Sequence, residues 1–543
     1  MTNRTLVLTA LLAVHLAGLI YLRYVFVAQD DLHYAALSNA VLQGRFHFEQ
    51  HHQSQRFVLF VPTAIVGRML GRISVDMLAV WPMVTSLVQL VLVYLLAETI
   101  AGPTAALFAG VLFNTNLLQF QYATLLFPDA VVACFMTAVL YAVCRGRLAS
   151  SRASTAWGAA GAVLSVCAYL SRETAVWMGP FLVVVLLTDI WHRRHTAFWM
   201  SFCVAAVALA AIDVAAYWLA TGDPLAQIHT VNSQSESPLW GELLWNRESR
   251  AARLIGGPLP AILLRNDYTI TFVIGCPLAI VSLSGRALRP LRLVAGYMLS
   301  VLLSFWFGST SLSTYLPIHV DPRFLLPLHA PLVVIVAVAL ERFWADAPAS
   351  EWLRGALYLT GSIFVVLALR NLSPATRLFV LVYGAFAACA FATAVFWRSD
   401  RRRLFGRAFV IAGLLLPFGW PLYVAVKRGG YRPAWVEPEK RMARQIDTMA
   451  LAAAPARVVI VTDSVSVDAL PLYLGYDLPG NLTVIPVTQY REHTYESADR
   501  VLLFVHDERA EWLHAFEEGK LMAQLRRSGR RIAQDDGVSL FEL

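Results

Sequence analysis

The sequence predicts a mainly α-helical protein that crosses a membrane many times and ends in a small α/β domain. Two observations predict the helical part: hydrophobic residues make up 58% of the 543 residues, and charged residues make up 15%. Soluble domains carry about 25% charged residues, so a soluble protein is excluded. A change of residue pattern near residue 430 predicts the second domain. We therefore divide the chain into a transmembrane domain, 1–429, and an α/β domain, 430–543.

Apolar runs long enough to cross the hydrocarbon core of a bilayer predict about thirteen membrane spans. The first run is too long for a cleaved signal peptide and is expected to remain as a helix. The segment Phe57–Leu70 is also apolar but contains Pro62 and Arg68, so we expect a helix in the outer interface, with a fourteenth span as the alternative. The predicted spans are 6–27, 77–97, 103–120, 126–144, 154–170, 174–190, 196–219, 269–284, 292–309, 324–340, 355–370, 376–397 and 407–426.

Arginine clusters predict the orientation of these spans. When the spans alternate in direction, four clusters fall on one side, which the positive-inside rule makes cytoplasmic together with the N-terminus. Loop 28–76, the other outer loops and the α/β domain then lie outside. The Ala- and Arg-rich composition suggests a bacterial inner membrane. The clusters are Arg145/Arg147/Arg152, Arg193/Arg194, Arg286/Arg289/Arg292 and Arg398/Arg401/Arg402/Arg403/Arg407.

Charge and cysteine usage exclude two other classes of protein. The chain has a net charge of +8, but residues 430–543 contain 13 Lys and Arg against 17 Asp and Glu. The basic excess therefore belongs to the membrane loops and does not indicate nucleic-acid binding. Six cysteines lie in apolar runs without C-x-x-C spacing, so we expect free thiols with neither a disulfide nor zinc. They are Cys134, Cys144, Cys167, Cys203, Cys276 and Cys389.

The C-terminal segment has alternating strand and helix patterns. Strands are predicted at Val458–Val461, Thr483–Val487 and Val501–Val505, and helices at Asp468–Leu474 and Glu508–Arg527. This alternation predicts a small, mostly parallel sheet. Because no G-x-G-x-x-G turn follows the first strand, nucleotide binding is unsupported. We expect an accessory or acceptor-positioning domain.

An acidic pair stands where the first predicted span ends. Asp30 and Asp31 are followed by Tyr34 and then by a polar stretch rich in His, Gln and Arg. Carboxylates at a membrane interface beside a polar loop indicate acid/base chemistry on a partly lipid-soluble substrate. The alternative is that the two aspartates end a helix and face water.

Further polar residues fall on the same predicted outer side, and three positions are unusual for a membrane protein. Asp129 opens a span, where the helix dipole alone could account for it. Arg172 and Glu173 occupy a very short turn between two spans, either as a functional pair or as an ion pair that solvates the turn. Arg323 near a helix start opposes the local dipole, which indicates a nearby anion or snorkelling to lipid phosphates. The whole outer set is Asp30, Asp31, Tyr34, His51, His52, Arg56, Asp129, Arg172, Glu173, His319, Asp321 and Arg323.

Metal binding is left open by the same residues. Carboxylates and imidazoles are common ligands, which makes Asp30, Asp129 and His52 candidates for a divalent cation site. The alternative is that a loop histidine is simply exposed to solvent.

The order of these motifs along the chain and their shared outer side resemble the pattern of the GT-C superfamily of membrane glycosyltransferases. The resemblance is to the branch that contains the bacterial aminoarabinose and galacturonic acid lipid A transferases and the protein O-mannosyltransferases. It covers most of residues 1–430. The matching segments are the acidic pair with its tyrosine (Asp30, Asp31, Tyr34), the interfacial helix from Ala35 to Phe46, Pro128-Asp129, Ser171-Arg172-Glu173 and Arg323-Phe324-Leu325-Leu326-Pro327.

The resemblance implies a reaction and roles for these residues. The donor would be a sugar on a polyprenyl phosphate, and the acceptor lipid A, a glycan, a protein or another glycolipid. Asp30 would be the catalytic base with Asp31 beside it, and Asp129 would position the acceptor or a divalent cation. Arg172 and Arg323 would hold the departing phosphate. The remaining substrate-binding candidates are Tyr34, Glu173 and His319.

The chain departs from the family pattern at two places. The acidic pair is often Asp-Glu and here is Asp-Asp, and the short turn often bears Lys where this chain has Arg172-Glu173. The chemistry also follows from the residues themselves. A sugar hydroxyl needs a carboxylate to accept its proton, and a departing polyprenyl phosphate needs cations. A single displacement at the anomeric carbon would invert configuration.

Two other functions compete with a glycosyltransferase. The first is a transporter or flippase of a lipid-linked sugar, which would place polar sites near the bilayer midplane and often contains inverted repeats. Here the charges cluster at the outer ends, and the second half does not repeat the first. The second is a non-catalytic membrane scaffold that displays the C-terminal domain.

Overall fold

The computed structural model describes residues 3–24, 29–48, 51–235, 254–255, 257, 266–284, 291–309, 311, 315, 318, 321–345, 351–370, 377–396, 402–415, 436–490, 499–507 and 517–543. Helices dominate up to residue 415. They are α1 (Asn3–Tyr21), α2 (Gln29–Leu42), α3 (Phe57–Leu70), α4 (Val75–Leu78), α5 (Val80–Ala101), α6 (Pro103–Phe113), α7 (Leu117–Tyr122), α8 (Pro128–Leu148), α9 (Ser151–Ser171), α10 (Gly179–Trp191), α11 (Thr196–Thr221), α12 (Ala226–Ser235), α13 (Asn266–Ser284), α14 (Arg292–Phe307), α15 (Leu326–Trp344), α16 (Glu351–Arg370), α17 (Arg377–Val395) and α18 (Arg402–Leu415).

Each of the predicted spans overlaps at least one of these helices in the described part of the chain. Among the described residues, seven segments are long and apolar enough to cross a membrane, and seven further apolar helices are shorter. The seven long segments are Arg4–Tyr21, Val75–Ala101, Pro128–Leu148, Ser151–Ser171, Glu173–Trp191, Thr196–Thr221 and Arg323–Trp344. A mostly helical membrane protein is therefore confirmed, whereas the number of crossings stays a prediction.

Helix α15 forms the centre of the bundle and is almost entirely buried. Side chains from α5, α6, α8 and α13 pack around it in one continuous hydrophobic core. Because α15 is surrounded by other helices, its sequence is a continuous apolar run. The same packing fixes the position of its first residues. This matters for the site, because Arg323 lies immediately before α15.

The predicted span 103–120 is not one helix. Helix α6 ends at Phe113, and α7 begins at Leu117. The break follows from Asn114-Thr115-Asn116, whose polar groups find partners inside the bundle: Asn114 Oδ1 lies 2.8 Å from His15 Nδ1. The Asn116 side chain accepts hydrogen bonds from the first backbone N–H groups of α7. Irregular backbone is tolerated at membrane depth where protein satisfies it in this way.

The first helix also ends earlier than predicted. Helix α1 ends at Tyr21 rather than at residue 27, and residues 25–28 lie outside the described part of the chain. Asp30 and Asp31 consequently occupy the first turn of α2, not the end of the first span. Carboxylates in a first turn are stabilised by the helix dipole. The predicted helix from Ala35 to Phe46 corresponds to α2, which begins earlier, at Gln29, and ends at Leu42; its interfacial position stays a prediction.

Helices α2 and α3 form a layer against one end of the bundle. The Ser38 hydroxyl donates a hydrogen bond to the Phe60 carbonyl at 3.1 Å, and the Trp81 indole donates to the Val58 carbonyl at 2.8 Å. The predicted helix at 57–70 is thus confirmed. Whether α3 lies in the interface or crosses the membrane stays a prediction.

The C-terminal segment folds into helices around a five-stranded sheet. The helices are α19 (Val436–Ala453), α20 (Ser464–Tyr473) and α21 (Glu517–Ser528); the strands are β1 (Val458–Thr462), β2 (Leu482–Pro486), β3 (Arg500–His506), β4 (Arg530–Asp535) and β5 (Val538–Glu542). The three predicted strands are confirmed. The predicted helix at 508–527 is described only from residue 517 onward.

The expectation of a mostly parallel sheet is wrong. In the strand order β2-β1-β3-β5-β4, β1 pairs in parallel with β2 and β3, whereas β5 pairs antiparallel with β3 and β4. The pattern missed β4 and β5 because β4 is a polar edge strand with little apolar alternation. The Asp536-Gly537 turn that joins β4 to β5 has positive φ at both residues, as a two-residue hairpin requires.

The C-terminal domain shares a hydrophobic core with the membrane domain. Ala469 and Leu472 of α20 pack with Leu32 of α2 and with Ile73 of the loop that precedes α4. The helix that begins with Asp30 and Asp31 is therefore enclosed between the bundle and the C-terminal domain. The two predicted domains are in direct contact at this place.

Candidate functional site

The charged residues predicted to share the outer side meet at one end of the bundle. They come from the start of α2, the segment 51–56, the start of α8, the turn between α9 and α10, and the segment before α15. Contacts link almost all of them: Asp30 with Arg323, Asp129 with Arg172, and Arg56 with Glu173. This brings together residues that the sequence separates widely.

Asp30 is held in place but keeps one oxygen open. Its Oδ1 accepts a hydrogen bond of 2.9 Å from the buried side-chain amide of Gln53. Its Oδ2 lies 3.7 Å from Arg323 Nη1, which is within ion-pair range but too long for a hydrogen bond. The side chain is 35% exposed. Asp30 is therefore an oriented carboxylate that a ligand can reach.

Arg323 faces the same space. Its guanidinium lies over the rings of Phe127, at 5.1 Å, and Phe324, at 5.0 Å, so the aromatic faces hold it by cation–π attraction. Its Nε lies 3.6 Å from Asp321, which also caps the turn by accepting a 3.0 Å hydrogen bond from the Arg323 backbone N–H. The side chain is 23% exposed. Arg323 is thus a positioned cation next to Asp30.

Asp129 and Arg172 are paired in the interior. Arg172 Nη1 donates to Asp129 Oδ1, and both side chains are nearly excluded from solvent. The Arg172 guanidinium also lies 4.1 Å from the centre of the Phe324 ring. Burial lowers the pKa of Arg172, although the Asp129 carboxylate opposes this shift. The two predicted substrate-binding residues are therefore engaged with each other.

Arg56 joins the third group of predicted residues. Its Nε and Nη2 donate to the two oxygens of Glu173 at 3.1 and 2.8 Å, a bidentate geometry, while its Nη1 donates to the Tyr34 hydroxyl. Burial would lower the pKa of Arg56, but Glu173 and Tyr34 together raise it. Burial raises the pKa of Tyr34. This network holds the turn at 172–173 against α2.

Asp31 does not face the same side as Asp30. Successive residues of a helix point about 100° apart, and Asp31 is buried whereas Asp30 is partly exposed. Burial, together with the charges of Asp468 and Asp31, raises the pKa of the Tyr476 hydroxyl in the C-terminal domain. The predicted catalytic role of Asp31 beside Asp30 stays a prediction.

The histidines of the outer loop cluster near the site. The rings of His51 and His52 stack at 4.7 Å between centroids, and those of His33 and His51 lie 5.0 Å apart. Among the described residues, no group of three or more His, Cys, Asp or Glu side chains is arranged to hold a metal ion. The candidate cation site at Asp30, Asp129 and His52 stays a prediction. His319 lies outside the described residues.

Contacts at the opposite end of the bundle agree with the alternation of spans. Arg4 pairs with Glu98 at 2.7 Å, and Arg147 pairs with Asp189. Arg354 donates to the Ala394 carbonyl at 3.0 Å. These partners are all predicted to lie on the cytoplasmic side. The bundle therefore brings predicted inner ends together at one end and predicted outer ends at the other.

Three residues of the site were missed by sequence reasoning. Gln53 orients Asp30, and Phe127 and Phe324 pack against the arginines. Gln53 stands in a polar stretch where no single residue is distinctive. The two phenylalanines precede Pro128 and follow Arg323, in motifs already singled out, but an aromatic residue in an apolar run carries no signal of its own.

The fold is similar to that of solved membrane glycosyltransferases, and part of the chain matches a glycosyltransferase family model. Residues 56–218 match the family model described as dolichyl-phosphate-mannose-protein mannosyltransferase. The structure is similar to ArnT from Cupriavidus metallidurans bound to undecaprenyl phosphate: the TM-score is 0.59 at 14% identity, over 99% of this chain and 97% of that chain. The resemblance seen in the sequence motifs is thus confirmed.

Two other solved structures share this fold. The oligosaccharyltransferase of Archaeoglobus fulgidus in its apo form matches with a TM-score of 0.51 at 11% identity, over 96% of this chain and 71% of that chain. The arabinofuranosyltransferase AftD from mycobacteria matches with a TM-score of 0.50 at 12% identity, over 99% of this chain and 39% of that chain. A search of curated protein sequences found no match.

Proposed function

We propose that this protein transfers a glycosyl group from a polyprenyl-phosphate sugar to a hydroxyl of an acceptor at the outer face of a bacterial inner membrane. The observation that carries the proposal is the adjacency of Asp30 and Arg323, a partly exposed carboxylate and a partly exposed cation 3.7 Å apart. The similar ArnT structure contains undecaprenyl phosphate, which supports a polyprenyl-phosphate donor.

Asp30 is the general base of the proposed reaction. A base needs an unblocked lone pair and access to the substrate. Asp30 Oδ2 has both, whereas Asp129 and Glu173 are each bound to an arginine inside the protein. Gln53 fixes the carboxylate through the other oxygen. Asp30 is therefore better suited to accept a proton than those two paired acids.

Arg323 stabilises the leaving group. As the sugar departs, negative charge grows on the phosphate oxygens, and a guanidinium is a strong partner for that charge. Arg172 was predicted to share this task, but its charge is directed at Asp129. The phosphate contact is therefore assigned to Arg323. Arg172 lies against the same Phe324 ring and adds the electrostatic attraction of its positive charge at longer range.

The reaction is a single displacement. The acceptor O–H bond breaks, and its proton goes to Asp30 as the oxygen forms a bond to the anomeric carbon. The bond from that carbon to the phosphate oxygen breaks, and its electron pair leaves with the polyprenyl phosphate beside Arg323. One displacement inverts the anomeric configuration.

The buried pairs serve as the framework of the site in this proposal. Asp129–Arg172 joins α8 to the turn before α10, and Arg56 joins that turn to α2 through Glu173 and Tyr34, so the partly exposed Asp30 and Arg323 stand on a rigid base. Charges gathered at one end of the bundle suit a reaction at a membrane surface. The proposed orientation places this end, the loop 28–76 and the C-terminal domain outside the cytoplasm.

Cell-envelope analysis tests the proposal. Mass spectrometry of envelope glycans from a strain that lacks the gene should show one glycosyl group missing, restored by the wild-type gene but not by Asp30→Asn. A second assay uses the purified protein and a radiolabelled polyprenyl-phosphate sugar in detergent. A transferase releases polyprenyl phosphate, whereas a flippase leaves the donor intact and would contradict the proposal.

A further inference from the structure

A cavity of about 740 Å³ lies between the membrane domain and the C-terminal domain. Three segments form its walls: the C-terminal end of α2, the segment 71–76, and the residues 472–477 at the end of α20 and directly after it. Lys440 and Arg444 of α19 complete the lining. The volume lies within the range of about 300–1,000 Å³ typical of small-ligand sites.

The charges of this cavity are mainly positive. Arg72, Lys440 and Arg444 line it, against Asp76 and Asp477. Asp76 pairs with Arg23 at 3.0 Å, so its charge is already balanced from outside the lining. Lys440 lies 3.6 Å from Glu437, a long contact with a half-exposed partner. The cavity therefore presents an excess of cations to a ligand.

The remaining lining suits a saccharide. Asn39 and Gln43 supply amides that can donate to and accept from hydroxyl groups, and the rings of Tyr473 and Tyr476 offer flat apolar faces. Tyr473 is held by a 2.7 Å hydrogen bond from its hydroxyl to Glu439. Cations, amides and aromatic rings together match a sugar that bears phosphate.

The backbone of the segment 472–477, which forms one wall of the cavity, makes a turn with an unusual conformation. Gly475 and Tyr476 both have positive φ, of 68° and 60°. For Tyr476, a residue with a side chain, this left-handed conformation is strained, and such strain is often found at sites that hold a ligand. The turn brings Gly475 close to the Ile73 carbonyl, which joins the two walls.

Tyr476 connects the cavity with the acidic pair. It lines the cavity, its hydroxyl is buried without a hydrogen-bond partner, and it packs against the hydrophobic cluster that contains Leu32, the residue after Asp31. Along α2, Asn39 stands about 14 Å from Asp30 at 1.5 Å per residue. A ligand in the cavity could thus extend along α2 toward the proposed base.

We infer that this cavity binds a phosphorylated saccharide headgroup of the acceptor, with Arg72 and Arg444 as its main cationic contacts. The identification of this ligand as the acceptor rests on the proposed function, whereas the expected binding of a phosphorylated saccharide does not. The donor phosphate is assigned to Arg323, which is not part of this lining. Donor and acceptor would then contact separate cations near the two ends of α2.

The test measures binding to the purified full-length protein in detergent, as ligand-dependent shifts of its unfolding temperature. The probes are glucose 6-phosphate, glucose and inorganic phosphate. The variant R72E/R444E should raise the Kd for glucose 6-phosphate at least tenfold. The matched control R68E/K520E reverses two exposed cations outside the cavity and should change that Kd less than twofold. The milder pair R72Q/R444Q should give an intermediate effect.

Binding of undecaprenyl phosphate serves as the check on folding and should be equal in all these variants. A wild-type Kd for glucose 6-phosphate in R72E/R444E would overturn the inference, and so would equal binding of glucose or of inorganic phosphate. The variant Asp30→Asn separates the two proposals. If it retains transfer activity, the proposed base is wrong while the binding results still decide the cavity; if transfer is lost but charge reversal is harmless, only the cavity inference fails.

Discussion

The carboxylate of Asp30 lies 3.7 Å from the guanidinium of Arg323. Asp30 begins the outer helix α2, and Arg323 lies directly before the central helix α15. Gln53 holds the first residue, and two phenylalanine rings hold the second. Both side chains keep access to solvent, while the neighbouring ion pairs are buried. The following predictions depend on this arrangement.

Asp30→Asn should lower the rate of sugar transfer by about 10²–10⁴, because general base catalysis contributes rates of that order. The matched control is Asp321→Asn, which removes an equally exposed carboxylate beside the same arginine and should cost less than tenfold. Transfer from a radiolabelled donor measures both. Equal losses in the two variants, or activity near wild type in Asp30→Asn, would remove Asp30 from its proposed role.

Arg323→Ala should weaken both donor binding and departure of the phosphate. We expect the KM for the donor to rise and kcat to fall, since the guanidinium faces charge that grows in the transition state. Arg323→Lys keeps the charge without the planar fork and should recover part of kcat. Kinetics with varied donor concentration check this. An unchanged KM and kcat in Arg323→Ala would place the phosphate elsewhere.

Asp129→Asn should destabilise the protein by about 3–5 kcal/mol, because it leaves the buried Arg172 charge without its partner. The double variant D129L/R172M replaces both charges by apolar side chains and should be more stable than Asp129→Asn alone. Unfolding temperatures in one detergent measure the difference. A fully stable Asp129→Asn protein that no longer uses acceptor would instead support the acceptor-positioning role that the resemblance implies.

Asn116→Ala should cost about 0.5–2 kcal/mol, the usual loss for a helix N-cap. Asn116 accepts hydrogen bonds from the backbone N–H groups of Leu118 and Gln119 at the break between α6 and α7. Asn116→Ser keeps a capping oxygen and should be milder. The same unfolding measurement applies. If Asn116→Ala matches the wild type, the break is maintained by packing rather than by the cap.

Much of the site could be predicted because depth in a membrane is readable from one sequence. A charged residue beside a long apolar run must lie near an end of that run, and arginine clusters orient the runs. Asp30, Asp129, Arg172 and Arg323 were therefore placed on one side, and the structure brings them together. The choice of partners could not be predicted. Several cations and anions at one depth can pair in many ways until the order of helices around α15 is known.

The chain by itself determined a helical membrane protein, the positions of its apolar helices, the acidic pair and the shared side of its charges, since these depend on hydrophobicity along the chain. The tertiary structure decided which charges are neutralised and which stay exposed. Asp129 and Arg172 lost their access to solvent because α8, the turn after α9 and Phe324 meet around them. Asp31 is buried whereas the neighbouring Asp30 stays partly exposed, because successive residues of a helix point about 100° apart. Burial depends on how distant segments pack together, so it cannot be predicted from the hydrophobicity of one segment alone.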